Sequence, residues 1–301
     1  MMYPVIDVGS NTLRLCVYDY DGFAVKTLFT KKAMVGLANH VSEGKMTQAG
    51  VEKLCTTLEK FKDTLVNFET EPVSVFATAS LRNVENRQQI LDIVRHRTGM
   101  DVTIITGEEE ARLDFIGATK QVAMEQGILL DIGGGSTEIV LFEGGEITKA
   151  VSIPIGSLNS YAQFVEGFLP ERKERKKIKK AVLEAVENAF GDVEISKGQT
   201  ACGVGGTIRA ACKISDHIYD LPTGHHHISR FQIDEVYDVL SDDMSRSIEV
   251  ILDVVPDRLR TILTGLTILR TLVRYFDIKG VEVSQYGVRE GYLYANLLPL
   301  K

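Results

Sequence analysis

The chain has 301 residues, 44% of them apolar and 25% charged, with a net charge of −7. That balance suits a globular protein with room for two cores, and it argues against general nucleic-acid affinity, which needs a basic surface. No run of about 18 apolar residues occurs, so no membrane helix is expected; the start MMYPVIDVG lacks the basic-then-apolar order of a signal peptide, so the expected location is the cytoplasm.

Residues 5–19 (VIDVGSNTLRLCVYD) read as an apolar strand, an Asp-x-Gly turn and a second strand of β-branched and aromatic residues. Thr47–Phe68 places Val51, Leu54, Cys55, Leu58, Phe61 and Leu65 at helical spacing. A buried strand at Val73–Ala77, a helix from Asn83 to about Thr98 and a strand at Asp101–Ile105 follow. Thr106 or Gly107 opens a helix with Glu108, Glu109 and Glu110 in its first turn, where carboxylates complement the helix dipole. This helix should end before Gly127.

At residues 129–143 (LLDIGGGSTEIVLFE) the opening unit returns. Asp131 stands where Asp7 stood, Gly133 for Gly9, Ser136 for Thr12, Ile139 for Leu15 and Phe142 for Tyr18. One exchange changes the chemistry: Arg14 in the first copy becomes Glu138 in the second. A strand at Ile147–Ile153 and helices at Ser157–Phe168 and Glu174–Phe190 come next. The run Glu171–Lys180 (ERKERKKIKK) is either a solvated helix face or a guide for an extended anion. A strand at Gln199–Gly203 meets GVGGTIRAA (203–211), a glycine turn opening a helix. Helices at Asp234–Leu240 and Asp257–Phe276, a strand at Gly280–Val283 and a closing helix at Val288–Leu297 complete the chain.

Strands alternating with helices predict α/β layers over mixed sheets. The duplication predicts two related halves, residues 1–120 and 121–301, with a hinge near 118–127. The four cysteines (Cys16, Cys55, Cys202, Cys212) form no CxxC pair and read as buried thiols. His225, His226 and His227 cannot all face one side of a helix or strand. A shared metal site there would need an irregular loop, and a polar loop before the Asp234 helix is the plainer expectation.

Three glycine turns follow strands: Asp7–Arg14, Asp131–Glu138 and Gly203–Thr207. Successive backbone N–H groups in such turns form nests that attract phosphate oxygens. Neither GxxxxGK[ST] nor GxGxxG is present, so the P-loop and the dinucleotide fingerprint are both excluded. Read from the residues alone, Asp7 and Asp131 could instead cap their turns, and the three glutamates could be ordinary first-turn acids.

In their order and spacing these motifs resemble the exopolyphosphatase/guanosine pentaphosphate phosphohydrolase (Ppx/GppA) family. The resemblance spans nearly the whole chain: IDVGSNTLRL (6–15), ATASLR (77–82), TGEEEARL (106–113), LLDIGGGSTEIV (129–140), SIPIG (152–156), GVGGT (203–207), RLRTILTG (258–265) and SQYGVREG (284–291). It implies an α/β fold of two related actin-like, ribonuclease H-like domains flanking a central cleft, as in actin, sugar kinases and heat-shock chaperone ATPases. It also implies that Glu110 is the catalytic carboxylate that activates water, and that Asp7, Asp131 and Glu138 hold Mg²⁺ or another divalent cation. Ser10, Asn11, Thr12 and Arg14 match the first phosphate loop, Gly133, Gly134, Gly135 and Ser136 the second, and Gly205, Gly206 and Thr207 the third. Arg82 and Arg258 match basic residues facing the anion. The expected reaction is release of the terminal phosphate of inorganic polyphosphate or guanosine pentaphosphate, in a homodimer. The chain stops at Lys301 without the extra helical region of longer relatives, which favours short polyphosphates or a nucleotide. A non-catalytic polyphosphate or alarmone sensor and an ATP-dependent small-molecule kinase are the competing readings. Two departures stand out: Gly224 precedes the histidines where the family commonly has a His-Gly pair, and no Arg-Ala-Asp follows Val255-Pro256.

Overall fold

Residues 2–34 form a meander of three strands, β1 (Met2–Val8), β2 (Thr12–Tyr20) and β3 (Val25–Met34), each antiparallel to the next. The computed structural model describes residues 1–191, 193, 198–222 and 224–298. In β1 and β2 the side chains of Val5, Ile6, Val8, Leu13, Leu15 and Val17 are wholly buried, so both strands are covered on both faces. β3 is mostly exposed and carries Lys26, Lys31 and Lys32, the composition of a protected sheet edge. Its lack of alternation left it out of the elements expected from sequence.

A 3₁₀ turn (Leu37–His40) and the small hairpin β4 (Val41–Ser42) and β5 (Lys45–Met46) lead into α1 (Gln48–Leu65). Thr47 caps α1, its Oγ1 accepting the Gly50 N–H at 3.3 Å. Then come β6 (Ser74–Ala77), α2 (Ala79–Arg82), α3 (Arg87–Thr98), β7 (Val102–Ile104) and α4 (Gly107–Ala118). The helix expected from Asn83 to about Thr98 begins only at Arg87, and α2 before Asn83 was not expected. Asn86 precedes α3 but gives it no side-chain cap; its amide bonds the Met46 N–H and C=O instead, both at 3.0 Å. Among the described residues this sheet runs β3-β2-β1-β6-β7, with β1, β6 and β7 parallel.

The second half repeats the plan. β8 (Gln126–Ile132), β9 (Thr137–Glu143) and β10 (Glu146–Ile153) form the meander, followed by α5 (Ser157–Phe164), α6 (Arg172–Phe190), β11 (Thr200–Val204) and α7 (Gly205–Ile218). β12 (His227–Ser229), α8 (Arg230–Asp242), α9 (Met244–Val254), a 3₁₀ turn (Pro256–Arg258), α10 (Ile262–Tyr275), β13 (Gly280–Val283), α11 (Val288–Tyr292) and a π turn (Leu293–Leu297) complete it. The sheet order is β10-β9-β8-β11-β13-β12, so its first five strands repeat the order and directions of the other sheet. A register shift recurs as well, at Val17/Tyr18 on β2 and at Leu141/Phe142 on β9, where 141 − 17 and 142 − 18 both equal the 124-residue repeat. Two ribonuclease H-like, actin-like sheets are therefore present, as the resemblance implied.

In β8 the period of two assigns Ile128, Leu130 and Ile132 to the core shared with α6, α7 and α10. Leu129 faces the other way, against Ala111, Phe115 and Ala118 of α4. On α6, Ile178, Val182, Val186 and Phe190 recur every four residues and are buried, while Arg172, Lys173, Lys176, Lys177, Lys179 and Lys180 are exposed. The basic run is a solvated helix face. Glu174, at the buried start of that stripe, would be pushed up by burial, but hydrogen bonds from the Glu166 and Glu171 amides outweigh this and hold its carboxyl below the usual range.

Helices also differ from expectation in extent, α8 beginning at Arg230 rather than Asp234. α5 stops at Phe164, because Val165 is extended; the helix expected over 257–276 is divided by the segment before Ile262; and the closing helix turns into the π turn. α9 was not anticipated. By contacts the chain separates into Met1–Glu110 with Tyr292–Lys301, and Ala111–Gly291. The division falls inside α4 rather than at 120/121, and the last segment returns to the first unit, where Tyr292 stacks on Phe76 at 4.7 Å. We retain 1–120 and 121–301 as the proposed extents of the duplicated sequence, since the second meander begins at Gln126; residues 299–301 lie outside the described ones. Among the described residues no helix is long and apolar enough to cross a membrane. The four cysteines are free and buried.

α8 and α10 are joined by Asp234, which accepts from Arg270 Nε and from Arg274 Nη2, the latter at 2.9 Å. Burial pulls the Asp234 carboxyl upward, but the two guanidiniums outweigh it and hold it below its ordinary 3.8. A folded-state value below the unfolded one means stability present above about pH 4 and lost as pH falls through the folded value. Asp234→Asn should cost about 1.5–3 kcal/mol at pH 7. In thermal melts the gap from wild type should close below about pH 4; a gap independent of pH would show that the ion pair is not its source.

Candidate active site

In the first unit the expected phosphate loop is held from behind. Gly9 N–H donates to Thr12 O at 3.2 Å and closes the turn. The carbonyl of Ser10 accepts from Ala38 N, and that of Asn11 from Val35 N and Gly36 N, at 2.9–3.1 Å. Among the described residues no peptide is cis, so each carbonyl turned toward residues 35–38 sends the next N–H, of Asn11 and Thr12, the opposite way. Two amides facing one side form an anion nest. Register places Arg14 directly across from Asp7, so a cation stands opposite the strand-end carboxylate.

Val8, next to Asp7, accepts from Thr78 N–H and Ser80 Oγ, which fixes the start of α2. α2 ends on Arg82. Its guanidinium donates to Ile105 O at 3.1 Å and to Glu110 Oε2 at 2.8 Å. Glu110 is 8% exposed, whereas its neighbours Glu108 and Glu109 on α4 are exposed. Thr106 accounts for the difference. Its Oγ1 accepts the Glu109 N–H at 3.1 Å and its carbonyl accepts the Glu110 N–H at 2.9 Å, so it is the N-cap. Glu109 is then the third helical residue, outside on the rim, and Glu110 begins the next turn, facing in. Of the first unit's candidates, Arg82 and Glu110 are brought into contact.

The second unit shows the same construction. Gly133 N–H donates to Ser136 O at 3.0 Å, the counterpart of Gly9 and Thr12. Gly133 O accepts from Ser157 N, Gly134 O from Leu158 N and Asn159 N, and Gly135 O from Asn159 Nδ2, all at 2.8–3.0 Å. Three carbonyls turned toward α5 send the N–H groups of Gly134, Gly135 and Ser136 to the other side. Asp131 lies across from Glu138 in register. Two carboxylates directly opposite repel and suit a cation between them, and Glu138 is only 1% exposed, with Ser152 Oγ donating to it at 2.7 Å.

The third loop is packed onto this pair. Gly205 has φ +81°, and a Cβ there would stand 1.8 Å from Asp131 Oδ1. Only glycine allows both the backbone turn and the carboxylate so close. A Cβ at Gly206 would stand 1.8 Å from Arg258 Nη2, which places that guanidinium over the start of α7. The first amides of α7 add to its positive end. Thr207 is 1% exposed, and its Oγ1 has no hydrogen-bond partner among the described residues. Asp131, Gly205, Gly206 and Arg258 therefore cluster. Asp131 and Glu138 are hard oxygen donors, the type that holds Mg²⁺.

Sequence reasoning missed the residues that hold the loops. Asn159 bonds Gly135 O, Pro154 O and Gly156 N; Ser152 bonds Glu138; Ser80 bonds Val8. A polar residue in a helix's first turn is the signal Asn159 gave, and SIPIG and ATASLR contained the two serines.

The chain is similar to known proteins over nearly its whole length. The model of the Ppx/GppA phosphatase family matches residues 16–300. Exopolyphosphatase 1 of Mycobacterium tuberculosis is 26% identical over 304 residues, covering 99% of this chain and 88% of that protein. Guanosine-5'-triphosphate,3'-diphosphate pyrophosphatase of Photobacterium profundum is 26% identical, and 97% of this chain spans 59% of it. The crystal structure of an exopolyphosphatase from Cytophaga hutchinsonii superposes with a TM-score of 0.87 at 23% identity, over 98% of this chain and 97% of that one, which is a likeness of fold.

Thr207→Val should leave stability unchanged within about 1 kcal/mol, since it removes a buried hydroxyl with no hydrogen bond to lose. Competition by pyrophosphate should weaken by roughly 5–30-fold, the loss of one hydrogen bond of about 1–2 kcal/mol. A large fall in melting temperature with unchanged pyrophosphate binding would reverse both statements.

Proposed function

We propose that this chain, which belongs to the Ppx/GppA phosphatase family, releases the terminal phosphate of inorganic polyphosphate or guanosine pentaphosphate by attack of water. The burial of Glu110, together with its 2.8 Å pair to Arg82, carries the reading. A surface first-turn acid would stand in solvent, as Glu108 and Glu109 do. The activities printed for the relatives name the two substrates, and both present a terminal phosphoanhydride. The reaction class needs little covalent help, because its transition state is loose and spreads charge over equatorial oxygens.

Roles follow from the groups. Glu110 accepts a hydrogen bond from the attacking water and takes its proton, and Arg82 fixes the carboxylate's orientation. The amides of Asn11, Thr12, Gly134, Gly135 and Ser136 donate to phosphate oxygens, joined by the first amides of α7 and by Ser10, Arg14, Thr207 and Arg258. Asp131 and Glu138 would hold Mg²⁺, which when bound neutralises phosphate charge, and the resemblance also assigns Asp7 to metal binding. The metal reading rests on the two opposed carboxylates and on the cradle that Gly205 leaves for Asp131.

Glu110→Gln should lower phosphate release by roughly 10²–10⁴-fold while leaving substrate affinity within a few-fold. Near-normal turnover in that variant would remove Glu110 from the mechanism. Asp131→Asn and Glu138→Gln should raise the Mg²⁺ concentration for half-maximal rate; an unshifted requirement in both would place the metal elsewhere. Phosphate release should be measured in parallel from short polyphosphate, long polyphosphate, guanosine pentaphosphate and ATP. Stoichiometric binding without release from any of them would favour a sensor, and transfer only to an added acceptor would favour a kinase.

A further inference from the structure

α7 carries the third glycine loop at its start and a different set of side chains toward its end. Cys212 and Asp216 are four residues apart on it and so share a face. The chain after α7 returns along this face before entering β12. The return is anchored: Val283 N–H donates to His226 O at 2.7 Å, and the Cys212 thiol donates to His225 O at 3.2 Å. The three histidines diverge, as adjacent residues must. His227 Nδ1 lies 2.8 Å from Glu282 Oε1 and His226 Nδ1 lies 3.4 Å from Gln285 Nε2, while His225 Nδ1 approaches Asp216 Oδ1 at 3.6 Å. One ligand atom from each of Cys212, Asp216 and His225 lies within 4.8 Å of the others.

We propose that Cys212, Asp216 and His225 form a transition-metal site, with Zn²⁺ as the fitting ion and water as the fourth ligand. Asp216 supplies the second observation. It is 8% exposed, and its Oδ1 has no hydrogen-bond partner among the described residues. A carboxylate oxygen buried in this state is costly unless a cation answers it. Around a tetrahedral Zn²⁺ the ligand atoms stand roughly 3.3–3.8 Å apart, so small rotamer changes suffice. Sulfur, nitrogen and oxygen together are a borderline-soft set that selects Zn²⁺ over Mg²⁺ or Ca²⁺. The all-oxygen set of Asp131 and Glu138 makes the opposite choice, and the two sites do not compete for one ion. On binding, the S–H bond of Cys212 breaks, its proton leaves to buffer, and a sulfur–metal bond replaces it. Cys212 is 3% exposed and the His225 side chain 40%, so the ion would enter from the His225 side. The metal would staple the segment before β12 to α7.

The test uses the full chain, stripped with chelator and titrated with Co²⁺ and then Zn²⁺. Co²⁺ bound at this site gives a thiolate-to-metal absorption band in the near ultraviolet, which an all-oxygen site cannot give. One equivalent should saturate the band, one equivalent of Zn²⁺ should abolish it, and excess Mg²⁺ should leave it. Cys212→Ser should remove the band, and Asp216→Asn and His225→Ala should each weaken binding at least tenfold. Because His225 is partly exposed, its variant separates loss of a ligand from loss of fold. No band in the wild type, a band that persists in Cys212→Ser, or unchanged affinity in a folded His225→Ala overturns the site. None of these outcomes bears on Glu110 or on phosphate release.

Discussion

Once the carbonyls of Gly133, Gly134 and Gly135 are taken by the start of α5, the planar peptide leaves the following amides a single direction to face. The same constraint acts on Ser10 and Asn11 through residues 35–38. The first loop is held by backbone N–H groups alone, and the second adds one side-chain amide, Asn159 Nδ2 on Gly135 O. Each depends on the third strand of its meander ending beside the first turn, and therefore on the sheet order that both units share. The fold builds the anion nest by occupying its back.

Duplication explains why two such loops exist, and the position across from each aspartate explains how they diverged. Arg14 opposite Asp7 balances the charge at the end of β1. Glu138 opposite Asp131 concentrates it, in a buried setting next to Gly205 and Arg258. Cross-strand neighbours share a face at close range, so one exchange at this position sets the charge beside each aspartate, a cation in the first unit and a second anion in the second. The second unit adds β12 and the Cys212 face of α7, which the first unit lacks.

The parts legible in sequence were those encoded over short separations. The strand–turn–strand unit could be aligned on Asp7 and Asp131, and the buried stripe of α1 follows from its spacing. Glu110 was singled out by resemblance, and Thr106 as N-cap now gives the physical reason that it, rather than Glu109, faces inward. β3 was invisible because an exposed edge strand has no alternation to read. The pairing of Arg82 with Glu110 joins residues 28 apart in sequence, and that of Cys212 with His225 depends on where a loop returns. Periodicity gives the face of an element but not the partner brought to it, which is why the histidines read as a plain polar loop.

Thr106 never needs to meet a ligand, yet the heading of Glu110 is set by it. Were that hydroxyl lost, the opening of α4 would unwind for part of the time, and during those intervals the carboxylate would be aimed at nothing. Under the role proposed for Glu110, output would then scale with the fraction of molecules whose helix is wound to its tip, and heat or mild denaturant would lower it well before the sheets came apart.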